Sequence, residues 1–299
     1  MCNKEHIDIL IPIRTDDQVP ICNNLAEFEE IGTIPIINTT NPELMETALN
    51  KRKMFDYIKN VSGLHTLNYK VANNLDEFLG AVEKLGYPNN PIAIKPSHAT
   101  GSRGFRILDP NINKKELFFK GKPNNRYSTL DEIVEILDGN FPEMLIMEYL
   151  IEPEFTIDVL CYKGKSYAII PRKREKMIDG ITVKGVIEKL PKQTNKYIEK
   201  IIESFGFSYS VGMQLRKSAV NNDIYHLMEI NPRLQGTTVF SVAAGINILE
   251  LLIDMAYKNF DFNFKPKIRY GLKLERTFSE LFEYENQVKL LKDFYFEWF

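Results

Sequence analysis

The stretch Lys95-Pro96-Ser97-His98-Ala99-Thr100-Gly101-Ser102-Arg103-Gly104 sets a lysine at the end of a short apolar run and follows it with glycines and hydroxyls. Glycines let backbone N–H groups turn toward an anion, hydroxyls add donors, and lysine supplies a point charge. The order is not that of a P-loop. Phosphate binding and an ordinary β-hairpin loop with a solvated lysine both fit this pattern.

A second constellation lies downstream. Asn221-Asn222 suits a two-residue turn, since Asn tolerates positive φ. Closure there pairs Val220 with Asp223 and, counting back, Gln214 with Glu229. Opposed residues share one face of a strand pair, and Asn231, two positions on, points the same way. One face then carries Gln214, Glu229 and Asn231, three oxygen donors suited to Mg²⁺. The other carries Met213, Leu215, Met228 and Ile230, which suits a core. A polar solvent face is the competing reading. It explains less well why Glu229 lies in the apolar run Leu227-Met228-Glu229-Ile230 with no evident lysine opposite.

Other polar groups are less specific. Glu154, Thr156 and Asp158 alternate with Phe155, Ile157 and Val159, the first set toward polar surroundings and the second toward a core. Taken alone, Glu154 reads as a solvated edge carboxylate. Pro171-Arg172-Lys173-Arg174 closes a hairpin with three cations that could balance charge on a transferred phosphoryl group or simply face solvent. His6, His65, His98 and His226 share no ligand spacing.

The elements that must position these residues alternate between strand and helix, which excludes all-α and all-β classes. Strands are expected at Ile7–Ile13, Gly32–Asn38, Ile92–Pro96, Phe105–Leu108 and Met144–Tyr149. Hairpins are expected over Phe155–Ile170, turning at Lys163-Gly164, and over Val211–Ile230. Helices are expected at Thr15–Glu30 after a loop, Pro42–Asn60 with Asn41 as N-cap, Asn74–Leu85, Leu130–Leu137, Asn195–Ser204 and Ala243–Tyr257. Lys114–Asn125 is polar and reads as mobile. The opening strands make only a βαβ piece, too small to bury both sheet faces. A partner, a second copy forming a homodimer, or an upstream segment is expected to complete that sheet.

The chain has 299 residues, 44% hydrophobic, with a formal net charge of −2, so two or three globular domains are expected. That balance argues against a nucleic-acid footprint or a membrane surface. Three scattered cysteines, the lack of a signal pattern and the lack of a long apolar run point to the cytoplasm.

Together these segments resemble the ATP-grasp superfamily, most closely its carbamoyl phosphate synthetase-like, carboxylate-amine ligase branch. The matching stretches are Asn50-Lys51-Arg52-Lys53-Met54-Phe55, Lys95 to Gly104, Met147 to Asp158, Gln214, and Glu229-Ile230-Asn231-Pro232-Arg233, in family order over roughly residues 7 to 255. The resemblance implies an α+β ATP-grasp fold: a partial parallel α/β domain over 1–50, a subdomain with the phosphate lid over 51–147, and one with the metal site over 148–299. It implies ATP and Mg²⁺ (or Mn²⁺) as cofactors. Lys51 or Lys53 would reach the phosphates, Lys95 the α- and β-phosphates, and Gly101, Ser102 and Gly104 would form the lid. Glu148 and Leu150 would meet adenine through backbone groups, with Tyr149 between them, and Glu154 would hold ribose hydroxyls. Gln214 and Glu229 would ligate metal, with Asn231 as a further ligand. Arg233, with Arg172 or Arg174, would steady an acyl phosphate. The implied activity joins a small-molecule carboxylate, activated by phosphorylation, to an amine or other nucleophile. An ATP-binding module without ligase activity is the alternative.

Overall fold

The computed structural model describes residues 2–97, 103–120, 126–178, 180–219, 224–277, 279–284 and 287–290. Gly101, Ser102, His98 and the Asn221-Asn222 turn lie outside them. The elements run β1 (Ile9–Leu10), α1 (Gln18–Asn23), α2 (Leu25–Glu30), β2 (Ile34–Pro35), α3 (Pro42–Leu49), α4 (Lys51–Ser62), β3 (Tyr69–Ala72), α5 (Leu75–Lys84), β4 (Ile92–Pro96), β5 (Arg106–Leu108), α6 (Lys114–Lys120), β6 (Tyr127–Ser128), α7 (Leu130–Ile136) and β7 (Met144–Glu148). There follow β8 (Leu150–Tyr162), β9 (Lys165–Ile178), β10 (Ile181–Ile187), α8 (Lys192–Phe205), β11 (Tyr209–Ser218), β12 (Tyr225–Asn231), α9 (Val239–Ala243), α10 (Ile248–Ala256), β13 (Lys273–Glu275), β14 (Leu281–Tyr284) and β15 (Gln287–Leu290).

Two sheets carry the architecture: a five-stranded one ordered β3-β7-β4-β5-β6 and a six-stranded one ordered β12-β11-β8-β9-β10-β13. In the smaller sheet, Ile92, Ile94, Met144 and Ile146 form one core with Phe78, Ala81 and Val82 of α5 and Ile133 of α7. Ala93, Leu145 and Met147 alternate with them and join a different core, with Phe55 and Ile58 of α4 and Phe155, Ile157 and Val159 of β8. That second face looks toward the larger sheet, and Lys95 lies on it by the period of two. α8 covers the larger sheet with Tyr197, Ile198, Ile201, Ile202 and Phe205, an apolar stripe at helical spacing. On the opposite face, Leu160, Ile170 and Ile187 pack with Phe240 of α9 and Leu252 of α10.

The strands β1 and β2 pair in parallel, as the βαβ reading requires. They do not stand alone, because Ile36, with Ile9, Ile11 and Ile34, packs into the α9–α10 core.

Five expectations about the elements are corrected. The helix expected within Thr15–Glu30 is two, α1 and α2, which meet at Asn24, whose φ of −116° and ψ of 28° break the helical run. The helix expected over Pro42–Asn60 is two helices, because Asn50 is extended (φ −98°, ψ 115°) and its side chain accepts from the Lys53 N–H as the cap of α4. The helix expected over Ala243–Tyr257 is likewise broken. Gly245 stands at φ +102°, and a Cβ there would lie 3.0 Å from the Lys267 carbonyl. The first hairpin extends well past Ile170, since β9 continues to Ile178, so Arg172 and Arg174 lie mid-strand rather than at a hairpin end. Part of the polar Lys114–Asn125 stretch is the helix α6. No helix among the described residues is long and apolar enough to cross a membrane.

Candidate functional site

The strand β12 is the edge strand of the larger sheet, and its outer polar face is where the predicted residues gather. Gln214 pairs with Glu229 and Gly212 with Asn231, as the sequence predicts, but by another route. Near the turn, Lys217 pairs with Tyr225 and Arg216 with His226, one residue out of the register that closure at Asn221-Asn222 demands. The shift falls between Gln214 and Leu215, where Leu215 pairs with Leu227 and Met228 becomes the extra residue of a bulge. Gln214 also faces Thr156 of β8. A polar row thus runs across three strands.

Glu229 does have a lysine partner. It comes from α4 rather than from the hairpin: Lys51 Nζ lies 2.5 Å from Glu229 Oε2. Asn50 ends α3 and makes Lys51 the first residue of α4, at a point where the helix can reach round the sheet edge. Asn231 Nδ2 donates to Glu229 Oε1 at 2.9 Å, and Arg233 Nη2 donates to Asn231 Oδ1 at 3.3 Å. Arg233 Nε donates in turn to Thr15 Oγ1 at 2.9 Å, which ties the N-terminal piece to the site. Lys53 points away and pairs with Glu46 at 3.3 Å. Of the two candidate lysines, Lys51 is therefore the one in the cluster.

Lys95 enters from the other sheet. It is 6% exposed. Burial, and then the like charge of Lys51, push its pKa down to about 8 against the opposing pull of Glu229. Burial would raise the Glu229 carboxyl, but Lys51, the Asn231 hydrogen bond and Lys95 together hold it below its ordinary value. Burial lowers Arg233, and Glu229 partly offsets this. The sum is a patch where three cations face one carboxylate, an arrangement completed by an anion. Gly104 closes the described end of the Lys95 loop at φ +68°, with Pro96 Cδ only 2.6 Å from where a Cβ would stand. Glycine is required there.

Glu154 is not a solvated edge residue. It is 5% exposed and lies between Arg174 Nη1 at 2.5 Å and Arg216, whose Nε and Nη2 reach it at 2.9 Å and 2.8 Å. Arg216 also touches Glu152 at 3.1 Å and the Leu150 carbonyl at 3.4 Å. Sequence reasoning missed Arg216, although its spacing of two from Gln214 puts it on the same face. Arg172 is 2% exposed and forms a bidentate pair with Asp158. Asp158 also accepts from Ser241 Oγ at 2.7 Å and Gln235 Nε2 at 3.1 Å. This second, buried network anchors α9 to the sheet. Glu148 accepts from Asn68 Nδ2 at 2.9 Å, and its own N–H donates to the Asn68 carbonyl. Glu148 Oε1 faces His226 Nε2 at 3.5 Å, and burial pushes that imidazole down to about 4. Leu150 is buried where β8 crosses to the larger sheet, and Tyr149 is half-buried between them.

One carboxylate and two amides, on adjoining strands, are an oxygen set that fits a divalent ion whose remaining ligands come from phosphate and water. Among the described residues no group of three or more His, Cys, Asp or Glu side chains is placed to hold a metal ion.

Residues 140–277 match a family model described as ATP-grasp in the biosynthetic pathway with Ter operon. The chain is 24% identical over 256 residues to the carbamoyl phosphate synthase large chain of Thermotoga neapolitana, covering 82% of this chain and 20% of that protein. The corresponding protein of Methanosphaerula palustris is 25% identical over 258 residues, covering 78% and 22%. The chain thus spans about a fifth of the length of these curated relatives. Among solved structures it is similar to the biotin carboxylase–β,γ-ATP complex of Campylobacter jejuni, with TM-score 0.66, 16% identity, and 91% of this chain and 59% of that one covered. It is also similar to D-alanine–D-alanine ligase of Bacillus anthracis complexed with ATP, with TM-score 0.57, 15% identity, and coverage of 85% and 80%.

Proposed function

Given that this chain belongs to the ATP-grasp superfamily, on its carbamoyl phosphate synthase-like side, we propose that it is an ATP- and Mg²⁺-dependent ligase that activates a carboxylate as an acyl phosphate. The observation that carries this reading is the meeting of Lys51, Lys95 and Arg233 around Glu229 and Asn231, from three segments distant in sequence. Three cations beside one carboxylate suit a polyphosphate, and a carboxylate between two amides suits the metal that accompanies it.

In this proposal Lys51 and Lys95 hold the phosphate oxygens. Gln214, Glu229 and Asn231 would hold the metal, which would supply charge neutralisation at the transferring phosphoryl group. Arg233 lies beside Asn231 and steadies the carboxylate oxygen that attacks the γ-phosphorus. ADP leaves, and an amine or another nucleophile then displaces phosphate from the acyl carbon. Glu148, Tyr149 and Leu150, where the chain crosses between the two sheets, line the adenine, and Glu154 faces the ribose. Arg174 and Arg216 hold the Glu154 carboxylate in place, and Arg172 holds the sheet to α9 through Asp158. The chemistry rests on positioning more than on a general base.

The test is ADP release in the presence of Mg²⁺ across a panel of carboxylate and amine pairs. Release that depends on both a carboxylate and an amine supports the ligase. Tight nucleotide binding without release for any pair would favour a binding module, and a stable phosphorylated product would indicate a kinase.

A further inference from the structure

A cavity of about 380 Å³ lies at the far end of β8 and β9, where Lys165, Ser166 and Tyr167 all line it just past the Lys163-Gly164 turn. Strict alternation would send Ser166 to the other face from its neighbours. The register explains the exception. Cys161 pairs with Ser166 and Leu160 with Ala168, so Tyr167 is the extra residue of a bulge, and a bulge re-aims side chains. The facing wall is the segment after α10. There Asp261 accepts from the Asn263 N–H at 2.8 Å, a tight turn that sets Phe262 beside the cavity. Phe262 remains 48% exposed, although the rings of Tyr162, Phe260 and Tyr167 stand 5.2 Å, 5.3 Å and 6.0 Å from its own. The place is remote from the polar face of β11 and β12. Thr156 faces Gln214 on that polar face, and Tyr162 lies six residues further along β8, roughly 20 Å at the rise of an extended strand.

The lining defines a ligand. Lys165 and Lys265 both contribute to it, and among the described residues neither is in a salt bridge. The Ser166 Oγ atom is buried without a hydrogen-bond partner, a cost that an acceptor in the cavity would remove. Tyr167, Phe262 and Phe264 make the rest of the wall aromatic, which suits a flat apolar body. The volume falls in the range of small-molecule sites, about 300–1,000 Å³. Two ammonium groups favour an anionic head and repel a second ammonium, and the Asp261 carboxylate is already taken by the Asn263 N–H. Among the described residues that line the cavity there is no guanidinium to fork around a phosphate, so a carboxylate is the better match for two point charges. We propose that this cavity is a second ligand site, for an aryl carboxylate that carries no amino group. Its ring lies against Phe262 and Phe264, its carboxylate meets Lys165 and Lys265, and Ser166 donates to it. The proposal does not depend on the ATP-grasp reading.

The probe is 3-phenylpropionate, followed by ligand-observed NMR in titrations of the intact chain. It should bind with a Kd at or below about 1 mM. Its amide, 3-phenylpropionamide, has the same shape without the charge and should bind at least about tenfold more weakly, as should phenylalanine, whose ammonium the lysines repel. Lys165→Gln, Lys265→Gln and Phe262→Ala should each weaken the acid by roughly fivefold or more. Ser166→Ala should weaken it too, while its melting temperature stays the same or rises, because the variant removes an unpaired buried hydroxyl. No binding of the acid below about 10 mM overturns the proposal, as does equal binding of the amide. Affinity unchanged in the lysine and Phe262 variants also overturns it, since the acid would then sit elsewhere, for instance beside Arg233. Both lysines are exposed, and Lys265→Gln, outside any strand, decides even if a variant on β9 fails to fold.

Discussion

Lys95 offers a test in which stability and ligand affinity must move in opposite directions. Burial and Lys51 lower its pKa from 10.5 to about 8, a bias against the charged form worth roughly 3 kcal/mol. Between those two values the unfolded chain binds more protons at this position than the folded one. Stability therefore rises with pH across the window from about 8 to 10.5, and below it the penalty is constant. Nucleotide affinity has the reverse sign. Phosphate oxygens favour the ammonium and raise its pKa in the complex, so binding takes up a proton once the pH exceeds the free value of about 8. Affinity should be flat near neutral pH and then fall by up to about tenfold per pH unit, roughly two and a half decades in all if phosphate restores the ordinary value. Calorimetric titration of Mg²⁺ and a non-hydrolysable ATP analogue, from about pH 7 to about pH 9.5 in two buffers of different ionisation enthalpy, measures both affinity and proton uptake. Lys95→Arg keeps its charge throughout and should show neither the fall nor the uptake. A flat affinity profile for the intact protein, or an identical fall in the arginine variant, would refute the assignment of Lys95 to the phosphates.

Three further outcomes are expected. Glu229→Gln should lose about 1.5–3 kcal/mol of nucleotide binding in the presence of Mg²⁺ and little in its absence; equal loss in both conditions rules out a metal role. Gly104→Ala should lower stability by about 1–3 kcal/mol in thermal melts, since the added Cβ meets Pro96 at a left-handed φ; an unchanged melting temperature contradicts that geometry. Asp158→Asn should destabilise by about 3–5 kcal/mol in denaturant titrations, because Arg172 is left buried without its counter-charge, and Arg172→Met in the same chain should recover part of the loss. Additive losses would mean that the pair is not a unit.

The strands around Lys95 and the polar face of β11 and β12 were legible from local signals: a period of two, turn residues, and an apolar run interrupted by one carboxylate. What sequence could not show was what comes from a distance. Lys51 reaches Glu229 across 178 positions, and the only local hint is that Asn50 caps α4 and so starts a new helix at Lys51. The burial of Glu154 follows from Arg174 and Arg216 on two neighbouring strands, and strand neighbours are a property of topology. The expected solvent-facing run at Arg172 became a mid-strand pair because β9 is longer than its turn signals suggest. Antiparallel pairing with β10, from Arg172 opposite Ile187 to Ile178 opposite Ile181, rather than local propensity, keeps that strand extended.

The bulge at Met228 separates the geometry of the site from the length of the connection beyond it. Gln214 and Glu229 face each other because β11 is aligned on β8 over nearly its whole length and because β12 slips by one residue before reaching Glu229. The connection between Ser218 and Tyr225 therefore does not set the alignment at the polar face. A residue added to or removed from it should be absorbed before Leu227, much as a spliced cable keeps its far end in place. That makes this stretch a practical place for an inserted tag or dye that leaves Gln214, Glu229 and Asn231 undisturbed.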